Sequence, residues 1–177
     1  LRISHPVMAW QSDAEDAITD GIHVITAAGN DGLVNELPSG QNYNNLIKTI
    51  GNPTGYYYNR KSGVNSQNSI TVASIGSTSL FPGIDEYSNR GSAIDICAPG
   101  SGIVGAVNDL SGVPDPRLLN NDHINVFSGT SFAAPQVTGV LASLLEFYIQ
   151  DSLPWTPTTA KAYICETNSS YNNLYDY

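Results

Sequence analysis

The sequence predicts an α/β fold in three layers, a mainly parallel sheet flanked by helices. Three observations carry this. The run Ile22-His23-Val24-Ile25-Thr26-Ala27 is β-branched and apolar, as a buried parallel strand is. Before it, Trp10, Ala14, Ala17 and Ile18 recur at helical spacing and Gly21 follows as a stop, giving the helix–glycine–strand half of a βαβ unit. Further on, Val126 to Leu141 reads as a short strand, a tight small-residue turn and an amphipathic helix.

The whole chain has 177 residues, about one domain with a real core. Its net charge is −9, which argues against nucleic-acid binding, since that requires a cationic face. No apolar run approaches the roughly 18 residues of a membrane helix, so no membrane partner is expected. Two cysteines make no disulfide framework. Cys97 sits in the apolar run Ile94 to Ala98 and reads as a small buried hydrophobe, while a Cys97–Cys165 bridge stays open.

In chain order, Leu1 to Ser4 reads as a strand end broken by His5-Pro6. After the first helix and strand, Ala27-Ala28-Gly29-Asn30-Asp31-Gly32 is turn-forming. Residues 33–69 are expected to be a long irregular loop rich in Asn, Gly, Ser and Tyr. Ser69 to Gly76 is a second strand, and Ile94 to Ile103 a strand, a proline-glycine turn and a return. A polar loop with Pro114, Pro116 and His123 follows. A long helix over Phe132 to Gln150 is expected to bury Val137, Val140, Leu141, Leu144, Leu145 and Tyr148, with Pro135 in its first turn. Thr158 to Cys165 forms a last helix, capped near Thr158 or Thr159. Asn168-Ser169-Ser170 is a formal glycosylation sequon. No metal-ligand cluster is apparent.

The chemistry concentrates at Ser131, where the turn becomes helix. The first N–H groups of a helix lack intrahelical partners, so a serine there can attack a carbonyl while its own N–H holds the oxyanion. Ser-Gly-Thr-Ser alone reads first as an ordinary N-cap corner. The longer string Gly129-Thr130-Ser131-Phe132-Ala133-Ala134-Pro135, with Val137 and Gly139, closely resembles the nucleophile segment of subtilisin-like serine proteases. Ala27-Ala28-Gly29-Asn30 resembles the family segment whose asparagine amide supplies the second oxyanion donor. Tyr87-Ser88-Asn89-Arg90-Gly91, with Asp95 and Ala98-Pro99-Gly100, matches a third, structural segment.

The resemblance implies peptide-bond hydrolysis through an acyl-enzyme on Ser131, with Asn30 completing the oxyanion hole. It implies that Ala28, Gly29, Gly129, Thr130 and Ser4 line the substrate side, although Pro6 departs from the family's Ser-x-Gly step. No cofactor is required; a structural calcium is a family trait with no site readable here. The family's Asp and His motifs are missing, and none of His5, His23 and His123 stands in the right context. Residues 1–177 are therefore expected to be the C-terminal part of a subtilisin-like peptidase domain, nearly inactive alone. An upstream segment or partner chain would supply Asp and His, the substrate would be a polypeptide, and secretion is favoured over the cytoplasm. The alternative is a degenerate protease domain retained as a structural or interaction module.

Overall fold

Residues 8–49, 52–61, 63–76, 83–106 and 124–166 are described by the computed structural model. The expected strand end at Leu1 to Ser4, the His5-Pro6 break, the loop with Pro114, Pro116 and His123, and the Asn168 sequon lie outside them.

Helix α1 spans Met8–Thr19. It stops where Gly21 takes φ +89°, a left-handed conformation that favours glycine. There Gly21 N–H donates to Ile18 O at 3.0 Å and Ile22 N–H to Ala17 O at 2.9 Å, satisfying carbonyls the ended helix leaves open. Ile18 is buried, whereas Trp10, expected on the same apolar stripe, is 71% exposed. Strand β1 is Ile25–Ala27, shorter than the β-branched run that predicts it. Pairing begins only where Val24 O accepts Ile70 N–H at 3.0 Å, and Ile22 lies exposed before that point.

The 33–69 stretch, expected to be irregular, contains an antiparallel hairpin of β2 (Leu46–Thr49) and β3 (Asn52–Tyr57). The apolar pair Leu46-Ile47 and the tyrosines after Gly55 have strand propensity that the surrounding polar residues mask.

Strand β4, Ile70–Gly76, is the centre of the main sheet and buried along nearly its whole length. β1 pairs parallel on one side, with Ile25 opposite Ile70, and β6 (Ile96–Pro99) pairs parallel on the other, with Val72 opposite Ile96. The two-residue β5, Gly83–Ile84, adds antiparallel at the end of β4. Side chains alternate between faces along β4. Ile70 and Val72 join the larger core cluster, while Ala73 joins a smaller one with Ala28, Ile94 and Cys97. Cys165 packs against the larger cluster instead. β7 (Ile103–Ala106) and β8 (Ile124–Phe127) form an antiparallel pair, with Ile103 opposite Phe127.

Helix α2, Thr130–Gln150, packs on β1, β4 and β6. Its buried residues Thr130, Ala133, Val137 and Leu141 form a single stripe at spacings of three and four. Val140, expected in that stripe, is 55% exposed, because it sits about 100° around the helix from Leu141. Phe147 and Ile149 are exposed too. By length and composition α2 could cross a membrane, a property the sequence reading did not find; here its stripe lies on the sheet. Pro135 is the sixth residue of α2 rather than part of its first turn. The Ser131 carbonyl thus lacks the i+4 donor an ordinary residue would give it.

Helix α3, Pro157–Glu166, places Ala160 and Ile164 in the larger cluster. Its cap is a reciprocal box between Thr156 and the expected Thr159. Thr156 N–H donates to Thr159 Oγ1 at 2.8 Å, and Thr159 N–H to Thr156 Oγ1 at 3.2 Å, around Pro157 at the first helical position.

Candidate active site

Two turns meet at the carboxyl ends of the parallel strands, where open α/β sheets place their ligand crevices. One follows β1 and carries Ala28 to Gly32; the other joins β8 to α2 and carries Ser128 to Ser131. Each has a glycine in the left-handed region: Gly29 at φ +104° and Gly129 at φ +154°. A Cβ at Gly129 would lie 3.3 Å from Asn30 Nδ2, so glycine also permits the close approach of the two turns.

The turns are fastened through Thr130. Its N–H and its Oγ1–H both donate to Asn30 Oδ1, each at 2.9 Å, and its Oγ1 accepts Gly29 N–H at 3.2 Å. The Asn30 carbonyl thereby caps the start of α2, a role Gly129 cannot fill because it has no side chain. Both acceptor positions of Asn30 Oδ1 are taken, which fixes the orientation of the amide.

What remains open is the donor side. Among the described residues, Asn30 Nδ2 and Ser131 N–H have no hydrogen-bond partner, and Ser131 itself is exposed. The neighbouring Phe132 N–H is closed onto Gly129 O at 3.0 Å. The Phe127 and Phe132 rings stack across the turn with centroids 5.1 Å apart, holding strand and helix in register. Two unpaired donors beside an exposed serine oxygen at a helix N-terminus form a site suited to developing negative charge.

A third segment supports this arrangement. Gly129 N–H donates to Gly100 O at 2.8 Å, and Gly102 N–H to Ser128 Oγ at 3.2 Å, so the turn after β6 braces the serine turn. Gln136 Nε2 donates to Pro99 O from the second turn of α2. Asn89, fully buried, grips the Asn30 turn from behind. Its Nδ2 donates to Ala28 O at 2.9 Å, its Oδ1 accepts Asp31 N–H at 3.2 Å and Leu33 N–H at 3.0 Å, and its N–H donates to Gly29 O at 2.9 Å. Sequence reasoning treats the segment around Asn89 as structural only. Nothing local to Asn89 points to the Asn30 turn, 58 residues away at Asp31.

The other expected site residues divide. Ala28 and Thr130 have no exposure, so neither presents its side chain to a substrate; Ala28 packs with Ala73 and Ile94, and Thr130 holds Asn30. Gly29 is half-buried and Gly129 buried, at the seam of the two turns. Ser4 lies outside the described residues, as do His5 and His123. His23 packs against Trp155 with ring centroids 5.8 Å apart, and Trp155 lies 4.4 Å from the Tyr148 ring, near the far end of α2. Tyr148 is 17 residues beyond Ser131, about 25 Å along the helix axis, so His23 does not serve Ser131 as a base. Among the described residues no three His, Cys, Asp or Glu side chains gather to hold a metal ion.

Comparisons with known proteins bear on the family and the fold. A protein-family model described as the subtilase family matches residues 4–176. The chain is 34% identical over 158 residues to the alkaline extracellular protease of Yarrowia lipolytica, covering 86% of this chain and 27% of that protein. It is 30% identical over 138 residues to the major intracellular serine protease of Bacillus subtilis, covering 78% of this chain and 32% of that one. Among solved structures, a protease from Pseudoalteromonas arctica superposes with a TM-score of 0.57 at 28% identity, over 89% of this chain and 39% of that chain. A cold-adapted subtilisin-like serine proteinase gives 0.54 at 24% identity, over 88% and 41%. The chain thus spans about a third or less of these two sequence relatives.

Proposed function

The chain belongs to the subtilase family, and from that premise we propose that the complete protein is a serine endopeptidase with Ser131 as its nucleophile. The observation that carries the proposal is the pair of donors, Ser131 N–H and Asn30 Nδ2, that have no partner among the described residues, beside the exposed serine. Ser131 Oγ would add to the carbonyl carbon of a peptide bond as its proton passes to a base. The oxyanion would form against the two donors, and collapse would expel the amine and leave an acyl-enzyme for water to hydrolyse. A serine at its ordinary pKa is a weak nucleophile, and His23 is out of reach, so the base must come from outside the described residues. We assign it, with its aspartate, to an upstream segment or an associated chain. A polypeptide is the substrate this chemistry takes, and secretion is the better-supported location, since relatives include proteases named as extracellular.

The alternative, an inactive interaction module, has no use for two donors held open on a braced turn. Fluorophosphonate labelling of the complete protein separates the two. The expected result is label on Ser131, absent from Ser131→Ala. Folded, complete protein that takes no label at Ser131 overturns the proposal.

A further inference from the structure

At the opposite, amino ends of the parallel strands, three oxygens converge on one positive charge. Lys161 Nζ donates to Gln67 O at 2.8 Å and Ser69 O at 2.8 Å, and pairs with Asp95 Oδ1 at 2.8 Å. The donor set, two main-chain carbonyls and a carboxylate, is what a hard cation such as calcium takes. The cradle is built independently of the lysine. Ser69, fully buried, bonds Val64 O at 3.1 Å and Ser66 O at 2.9 Å through its hydroxyl, which fixes the turn that presents both carbonyls. Asp95 is held by Thr71 N–H, which donates to Oδ2 at 2.8 Å and leaves Oδ1 aimed at the ammonium. The turn before β4, the turn before β6 and helix α3 therefore meet at one cation.

We propose that Lys161 is a tethered substitute for a metal ion: its ammonium occupies a three-oxygen cation cradle and ties α3 to the entrances of β4 and β6. An ordinary ion pair needs only Asp95; convergence of two carbonyls from the 67–69 turn on the same nitrogen is the mark of a cation site. Calcium, which the family resemblance raises, therefore does not fit this cradle while Lys161 fills it. An ammonium supplied by the chain needs no ion from solution, so this tie is indifferent to chelators. Lys61, also near Asp95 and donating to Thr71 Oγ1 at 3.1 Å, adds positive charge and would weaken any divalent ion bound in its place. With one carboxylate, affinity for calcium in an emptied cradle belongs at the weak end, about 10⁻⁴–10⁻³ M.

The test is thermal unfolding of the complete protein over a calcium series from chelator to ~10 mM, for wild type, Lys161→Ala, Lys161→Arg and Lys161→Ala/Asp95→Asn. The expected result is a Tm about 5 °C lower for Lys161→Ala in chelator, recovered by millimolar calcium beyond any change in wild type. Lys161→Arg keeps the charge and gains no calcium response over wild type, and the double variant loses the recovery. If Lys161→Ala folds only with calcium present, the tie is supported more strongly. A Lys161→Ala protein whose Tm follows wild type at every calcium concentration, or falls with no calcium recovery, overturns the proposal. The result is independent of whether Ser131 is catalytic.

Discussion

The two ends of the main sheet solve the same problem in opposite ways. At the carboxyl ends, Thr130 N–H and Oγ1–H both donate to Asn30 Oδ1 and Thr130 Oγ1 accepts Gly29 N–H, while among the described residues Asn30 Nδ2 and Ser131 N–H stay open. At the amino ends, Gln67 O, Ser69 O and both Asp95 oxygens are all taken by donors. The contrast separates chemistry from cohesion. Exposed open donors leave a place for a ligand, whereas a cradle whose oxygens already meet a positive charge contributes cohesion. Parallel strands set this polarity, since the turns that follow the strands gather at one end and those that precede them at the other.

That comparison is most severely tested at Asn30. Asn30→Ala is expected to lower kcat roughly 100- to 1000-fold with little change in KM, a magnitude carried over from other subtilisin-like enzymes. Steady-state kinetics on the complete protein would show it, and an unchanged kcat would mean the open amide holds no oxyanion. Asn89 comes next, because it belongs to the site end but touches no substrate. Asn89→Ala removes the side-chain bonds to Ala28 O, Asp31 N–H and Leu33 N–H and is expected to cost about 3 kcal/mol in denaturant unfolding. It should also lower kcat about tenfold by loosening the turn that aims Asn30. Lys161→Ala, by contrast, should move Tm and leave kcat alone. Equal losses of kcat from the two ends would erase the division drawn here.

The smallest effect is at His23. Burial holds its pKa below the ordinary 6.5, and its buried Nδ1 has no hydrogen-bond partner among the described residues. Below that value the unfolded chain binds more protons than the folded one, so stability falls as pH drops through the window under 6.5. His23→Phe is expected to flatten the difference in Tm between pH 5 and pH 7.5, read by scanning calorimetry. An unchanged slope would place the acid sensitivity elsewhere.

Much of the candidate site is legible in the sequence because its determinants are local. The small residues of Gly129-Thr130-Ser131 and the apolar stripe after them place a serine at a helix start, and Gly29 marks a left-handed turn after a β-branched strand. The stop of α1 at Gly21 is local in the same sense. The misreadings have equally definite causes. Thr130 looks like a surface residue because hydroxyls favour turns, yet it is buried by a turn 100 residues away. Val140 looks like core because it is apolar, but it lies to one side of the buried stripe and more than half of it stays exposed. The β2–β3 hairpin is hidden by polar neighbours that depress its average hydrophobicity.

The sequence by itself determined the helices and the core strands around the site and that a serine stands at the head of α2, because backbone propensity, glycine's conformational freedom and side-chain periodicity act over a few residues. Only the tertiary structure decided what each polar group meets. Asn30 turns its carbonyl to Thr130 and its amide outward, Asn89 grips Ala28 from 61 residues away, and Lys161 finds carbonyls 92 and 94 residues behind it. Those pairings depend on which strands become neighbours and which ends of them coincide. Hydrogen bonds act over about 3 Å, a range at which distance along the chain carries no information.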